Sequence, residues 1–145
     1  MRSAALSAAA LARKSRGLLR MVTVRPIPAA RVDRYDRIIA DEDREMARLA
    51  AAAEEQMAAL QPELGEVPAE RVVRFGRLST ELHIEAQVFG ADLIGLAAPG
   101  RPRLRHQLRA WYLGSTLPVP VVLLPSGPDG ADDRRPETVV LPAFP

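Results

Sequence analysis

The stretch ADLIGLAAPGRPRLRHQL, from Ala91 to Leu108, joins an apolar run to a basic segment through a Pro-Gly break. The apolar run has too little polarity for a strand with one face in water and fits a strand that is buried on both faces. After Gly100, the apolar residues Leu104, Leu108 and Trp111 recur at intervals of four and three, which predicts an amphipathic helix. The stretch therefore predicts a strand, a loop and a helix in succession.

The same alternation continues on both sides of this stretch. Upstream, Ala4 to Arg16 predicts a helix and RGLLRMVTV predicts a buried strand. RVVRFG then predicts a short strand, and TELHIEAQVF predicts a helix with Ser79 as its N-cap and Gly90 at its end. Between the two strands, a long helix from about Asp36 carries an apolar stripe of Met46, Leu49, Ala53, Met57, Leu60 and Leu64. Downstream, VPVVLLP is the last clear strand. This alternation is typical of βαβ units and predicts a parallel sheet.

The composition fits a single domain. The chain has 145 residues, of which 48% are hydrophobic and 26% are charged. It contains no cysteine, which excludes disulfides and thiolate metal sites and favours a reducing compartment, so we expect a cytoplasmic protein. The longest apolar runs are far shorter than the roughly 20 residues that cross a bilayer, so we expect no membrane partner.

The positive charge is spread along the chain. A net charge of +2 comes with 19 arginines and the single lysine Lys14, while aromatic residues make up only 4%. Nucleic-acid binders cluster their charge and interleave it with aromatic residues, so this pattern argues against a nucleic-acid partner. Every charged residue before Asp33 is basic, as in a transit peptide, but the helix-then-strand interpretation also accounts for this segment.

These segments together resemble the universal stress protein family. The order of GRLSTELHIEAQVFGADLIGLAAPGR and LPVPVVLLP matches the C-terminal half of that domain, and RGLLRMVTV with the long helix matches its second strand and second helix. The resemblance implies an α/β, flavodoxin-like or Rossmann-like layered sandwich over residues 1–125, with a mostly parallel sheet of about four strands. Residues 126–145, which include the turn-rich PSGPDGADDRRP, are predicted to be a flexible C-terminal tail.

One family strand has no counterpart before the first helix. In the family the strand order is 3-2-1-4-5, and the central first strand normally supplies an aspartate that contacts adenine. This chain begins at what resembles the helix after that strand, and an empty centre would leave backbone donors unsatisfied. Either the chain is a fragment, or a partner or another segment fills the place. The tail piece ETVVLPAFP is a candidate.

The family's ATP-binding motif is degenerate here. Members that bind ATP carry Gly-x-x-Gly, nine residues, and then Gly-Ser or Gly-Thr. In this chain Ala97 stands at the first glycine position, Gly100 at the second, and Ala110 and Trp111 at the later pair. The candidate phosphate loop is therefore Ala97, Gly100, Arg101 and Arg103, followed by Arg105 and Arg109. The alternative is that these arginines form a solvated helix face.

These observations leave three functional hypotheses. The first is a non-enzymatic domain with a stress-response or regulatory role through homodimerisation by its last strand or through partner contacts, without a cofactor or with only weak ATP or AMP binding. The second is a nucleotide (ATP or AMP) sensor that uses the Gly100 loop and the arginines after it. The third is an enzyme, but the sequence offers no candidate base, nucleophile or metal cluster for it. His83-Ile84-Glu85 has the H-x-E pattern of zinc deaminases, but the chain has no cysteine to complete their metal site.

Overall fold

A computed structural model describes residues 2–35, 37–99, 104–126 and 137–143. Five helices and seven strands occur in these residues. The elements in chain order are α1 (Arg2–Ser15), β1 (Leu18–Arg25), β2 (Arg31–Val32), β3 (Ile38–Ala40), α2 (Glu42–Ala58), α3 (Gln61–Leu64), β4 (Ala69–Phe75), α4 (Leu78–Phe89), β5 (Ile94–Pro99), α5 (Leu104–Thr116), β6 (Val121–Ser126) and β7 (Glu137–Ala143). The strand-helix alternation predicted from the sequence is present.

Five strands form one sheet in the order β4-β1-β7-β5-β6, and β2 and β3 form a separate hairpin. β1 is parallel to β4 and β5 is parallel to β6, whereas β7 is antiparallel to both of its neighbours. Four strands therefore share one direction, and the sheet is mostly parallel, as expected. It has five strands rather than about four, because β7 adds one.

β7 corrects the prediction of a flexible tail. The segment Glu137–Ala143 lies at the centre of the sheet and pairs with β1 from Leu18–Ala143 to Val24–Glu137. The physical reason is that a gap between β1 and β5 would leave buried backbone donors and acceptors without partners, and β7 supplies them. β6 extends to Ser126, and residues 127–136 of the predicted tail lie outside the described residues.

Helices cover both faces of this sheet. Since successive side chains of a strand point to opposite faces, β1 contributes to two separate clusters. Val22 and Val24 belong to one cluster with Leu82 of α4 and Leu113 of α5. Other residues form a second cluster on the opposite face, namely Leu19, Met21, Met57, Leu64, Val67 and the alanines Ala5, Ala8, Ala9 and Ala12 of α1. The result is a three-layer α/β/α sandwich.

Three helix boundaries differ from the sequence prediction. The long helix begins at Glu42 rather than near Asp36, because the Asp41 side chain caps it by accepting a hydrogen bond from the Arg44 backbone N–H at 2.9 Å. The predicted apolar stripe is interrupted after α2, because Leu60 is the N-cap residue of α3 and Leu64 is the last residue of α3. The prediction of Ser79 as N-cap is wrong, since it lies inside α4, whose N-cap position is Arg77, whereas Gly90 ends α4 in the left-handed conformation as predicted.

The orientation of α5 also differs from what its spacing suggested. Leu108 and Trp111 are 55% and 72% exposed, while Leu113 and Leu117 are buried. Ala110, Leu113 and Leu117 form a second apolar row with helical spacing, and this row packs in the cluster with β5 and β6. The helix thus has two apolar faces, and contact with the sheet buries only one of them.

Candidate functional site

The candidate site lies at one edge of the sheet. In open α/β sheets, ligands bind outside the carboxyl ends of the parallel strands. β1, β4, β5 and β6 all point the same way, so their carboxyl ends meet at one edge. β7 runs in the opposite direction and begins at this edge with Glu137. The carboxyl ends of β1 and β5 therefore lie at the edge of the sheet at which β7 begins.

The sheet is incompletely paired next to the predicted phosphate loop. β5 pairs with β6 from Ile94–Val121 to Pro99–Ser126. With β7 it pairs only at Gly95–Val140 and Leu96–Val139. Among the described residues, the end of β5 nearest the carboxyl edge thus has strand partners on one side only. This break lies at the place where the direction of the chain connections changes, which is the position that ligands occupy in such sheets.

The structure locates one of the four predicted phosphate-loop residues. Ala97 lies in β5, pairs with Leu124 of β6 and is half-buried. Gly100, Arg101 and Arg103 lie outside the described residues, and β5 ends at Pro99 immediately before them. A phosphate-binding role of this loop therefore stays a prediction.

Arg25 adds positive charge to the same edge and was missed by the sequence reasoning. It is the last residue of β1, and its Nε atom is buried without a hydrogen-bond partner in the described part of the chain. Burial, and then the positive charge of Arg48, lower the pKa of the Arg25 guanidinium. Arg48 itself donates hydrogen bonds to Glu45. In the sequence, Arg25 merges with a Pro-rich connector, and nothing there indicates that its Nε atom is buried.

A second charged cluster fastens α4 to the sheet. Glu85 of α4 is 1% exposed and accepts a hydrogen bond from Arg20 Nη1 of β1 at 2.9 Å and another from the Arg74 guanidinium of β4. Arg20 also pairs with Glu70 at 2.6 Å and lies over the Phe89 ring. Because both Glu85 oxygens are engaged, this carboxylate ties three elements together. Its signal in the sequence was its place in the apolar row of Leu82 and Phe89.

An open groove runs between α4 and the end of α5. Its volume is about 290 Å³, and its lining residues are Ser79, Thr80, His83, Ile84, Thr116 and Leu117. His83 is half-buried. Across the described ranges, no group of three or more His, Cys, Asp or Glu side chains is placed to hold a metal ion. The groove thus offers hydroxyls and one imidazole in an open setting.

A comparison with protein families shows which family has this fold. Residues 1–125 match the model of the universal stress protein family. The chain belongs to the universal stress protein family. This confirms the resemblance found in the sequence and supports a stress-related role. No curated protein and no solved structure matches the chain significantly.

Family membership allows the observed strand order to be compared with the strand order of the family. The family order 3-2-1-4-5 corresponds to β4-β1-β7-β5-β6 in this universal stress protein, so β7 occupies the place of the family's first strand with reversed direction. The carboxyl edge described above therefore corresponds to the edge at which family members that bind ATP carry their nucleotide, here called the nucleotide edge, and a different strand lies at its centre in this chain. None of the helices in the described residues is long and apolar enough to pass through a bilayer.

Proposed function

We propose that this universal stress protein acts without catalysis, in the cytoplasm, in a stress-response or regulatory role through association with a second copy or with other partners, and binds ATP weakly or not at all. The observation that carries the proposal is the reversed central strand β7. The lack of cysteine supports the cytoplasmic location, because disulfides are typical of oxidising compartments and rare in the cytosol.

The reversed strand changes what reaches the nucleotide edge. A parallel first strand would bring its carboxyl end to this edge, with the aspartate that contacts adenine in the family. β7 instead brings its amino end, since Glu137 pairs with Val24 near the end of β1. The chain thus offers a strand start where family members that bind ATP offer a strand end and its loop.

The glycine positions support the same proposal. A residue without Cβ lets the backbone close on a phosphate and adopt conformations that other residues avoid. Ala97 carries a Cβ at the first glycine position, and Ala110 and Trp111 replace the later pair. Gly100 alone keeps its place, so few of the family's phosphate contacts are retained.

Isothermal titration of the full chain with ATP and Mg²⁺ tests this part of the proposal. After circular dichroism has shown that the protein is folded, we expect a dissociation constant weaker than about 1 mM. Micromolar binding would contradict weak ATP binding. If the doubly substituted variant Arg101→Ala, Arg103→Ala then lost that affinity, the nucleotide-sensor hypothesis would replace the present one.

The two edge strands differ in their capacity to associate. β4 lies at one edge and carries Glu70, Arg71 and Arg74, whereas β6 at the other edge, VVLLPS, has no charged residue. Charged residues on an edge strand oppose pairing with another sheet, and uncharged apolar edges favour it. β6 is therefore the edge we assign to homodimerisation.

A charge on β6 should weaken the dimer. Val122 lies on this strand and is 37% exposed. We expect Val122→Lys to raise the dimer dissociation constant at least tenfold in sedimentation equilibrium, because a two-fold interface would bury both new ammonium groups. Val88→Lys is the matched control, since Val88 is 69% exposed on α4 and away from the edge. An equal effect of the two variants would place the interface elsewhere.

A further inference from the structure

One flank of α5 faces the uncharged edge strand. A methyl group added at Gly114 would lie 4.0 Å from Cβ of Val121, the first residue of β6. Thr116 lies on the other flank and lines the groove with Thr80 and His83 of α4. The two flanks of the helix therefore have different neighbours, the sheet edge on one side and α4 on the other.

An exposed apolar row descends along the flank that faces β6. Residues three apart are neighbours on a helix surface, so Leu108, Trp111 and Gly114 form one row that ends on the edge strand. Leu108 is 55% exposed and Trp111 is 72% exposed. Tryptophan side chains are highly buried on average, so an exposed fraction of 72% is unusual. Tryptophan is also enriched among the residues that contribute most to binding at protein interfaces.

The edge strand alone is too small for a stable dimer. A stable interface buries about 800 Å² on each partner. Six residues of strand are about 20 Å long, and a sheet is about 10 Å thick, so the β6 edge covers on the order of 200 Å². More surface next to this edge is required. The Leu108–Trp111 row contributes a large part of it, because a single aromatic side chain buries about 150–250 Å².

We infer that Trp111, supported by Leu108, is the apolar anchor of contact with a second copy of this chain. This inference rests on the proposed dimerisation through β6 and adds the residue that stabilises it. When two β6 edges pair about a two-fold axis, the α5 helices on the same sheet face approach each other across the axis. Each Trp111 then packs against the partner next to the paired edges, and symmetry makes the contact twice.

Trp111 itself reports on the contact, since it is the only tryptophan in the chain. We expect the emission of the wild-type protein to shift to shorter wavelength, and acrylamide quenching to fall at least twofold, over the concentration range in which sedimentation shows dimer formation. In the Val122→Lys variant, kept monomeric, Trp111 should remain fully quenchable. A wild-type dimer with a fully quenchable Trp111 would overturn the inference and leave the β6 dimer intact.

Two matched substitutions test the energetic role. We expect Trp111→Ser to raise the dimer dissociation constant at least tenfold. Tyr112→Ser should change it less than twofold, because Tyr112 is 54% exposed but lies about 100° further round the helix, away from β6. Equal effects of both substitutions, or weakening by Val122→Lys but not by Trp111→Ser, would overturn the role of Trp111. A wild-type protein that stays monomeric at all concentrations would overturn both the inference and the proposed dimer.

Discussion

Proline at position 140 should destabilise the protein by at least about 3 kcal/mol and lower its melting temperature by roughly 10 °C. Val140 lies in the middle of β7 and pairs with Met21 of β1 on one side and with Gly95 of β5 on the other. Its backbone N–H therefore faces an acceptor strand whichever side it points to. Proline removes that donor at the centre of the sheet, where no water can replace it. Thermal unfolding followed by circular dichroism measures the loss.

Glu137→Pro is the control for this substitution. Glu137 is the first residue of β7, and proline is tolerated at the first position of a strand. We expect it to change the melting temperature by no more than a few degrees. If Val140→Pro were as stable as Glu137→Pro, then β7 would not hold the centre of the sheet. The explanation of weak ATP binding by a reversed strand would fall with it.

Removing the Glu85 carboxylate should cost about 3 kcal/mol of unfolding free energy. The Glu85→Ala variant leaves Arg20 and Arg74 without the buried partner that they share and opens space under α4. The cost lies at the lower end for a broken buried ion pair, because the Arg74 side chain is 43% exposed and regains water, and Arg20 keeps Glu70. Urea unfolding at neutral pH gives the value directly.

Glu70→Ala separates the buried contact from the exposed one. The Glu70 side chain is 57% exposed and pairs with the same arginine, Arg20. Exposed ion pairs contribute about 0–1 kcal/mol, so we expect a loss of less than 1 kcal/mol. Equal losses for Glu85→Ala and Glu70→Ala would show that burial of Glu85 adds nothing and that α4 is held by apolar packing alone.

The local pattern was sufficient for the α/β architecture. Strand and helix periods differ, so an apolar run such as that around Ile94 and the row around Met57 indicate different elements without reference to contacts. Gly90 was predicted to end α4 for a local reason, since it adopts the left-handed conformation that favours glycine. Such features depend on residues a few positions apart, which the sequence shows directly.

Which side chains are buried against the sheet was harder to predict. α5 has one apolar row through Leu108 and Trp111 and another through Leu113 and Leu117, and only contact with β5 and β6 selects the second. In the sequence, Glu85 stood out as part of the H-x-E pattern with His83, yet its carboxylate is buried and is paired with arginines from two neighbouring strands. Periodicity gives the spacing of a row, but the partner that covers the row comes from another part of the chain.

By itself, the sequence determined the alternation of helices and strands, the resemblance to the universal stress protein family and the loss of most of the family's glycine motif. Each of these features depends on the identity and spacing of residues that are close together in the chain. Only the tertiary structure decided what fills the centre of the sheet. β7 pairs with β1 residues more than 110 positions away, from Leu18–Ala143 to Val24–Glu137, and it runs opposite to the other four strands of its sheet. Backbone hydrogen bonds accept either direction and any side chain except proline. A strand's own residues therefore do not specify its neighbours.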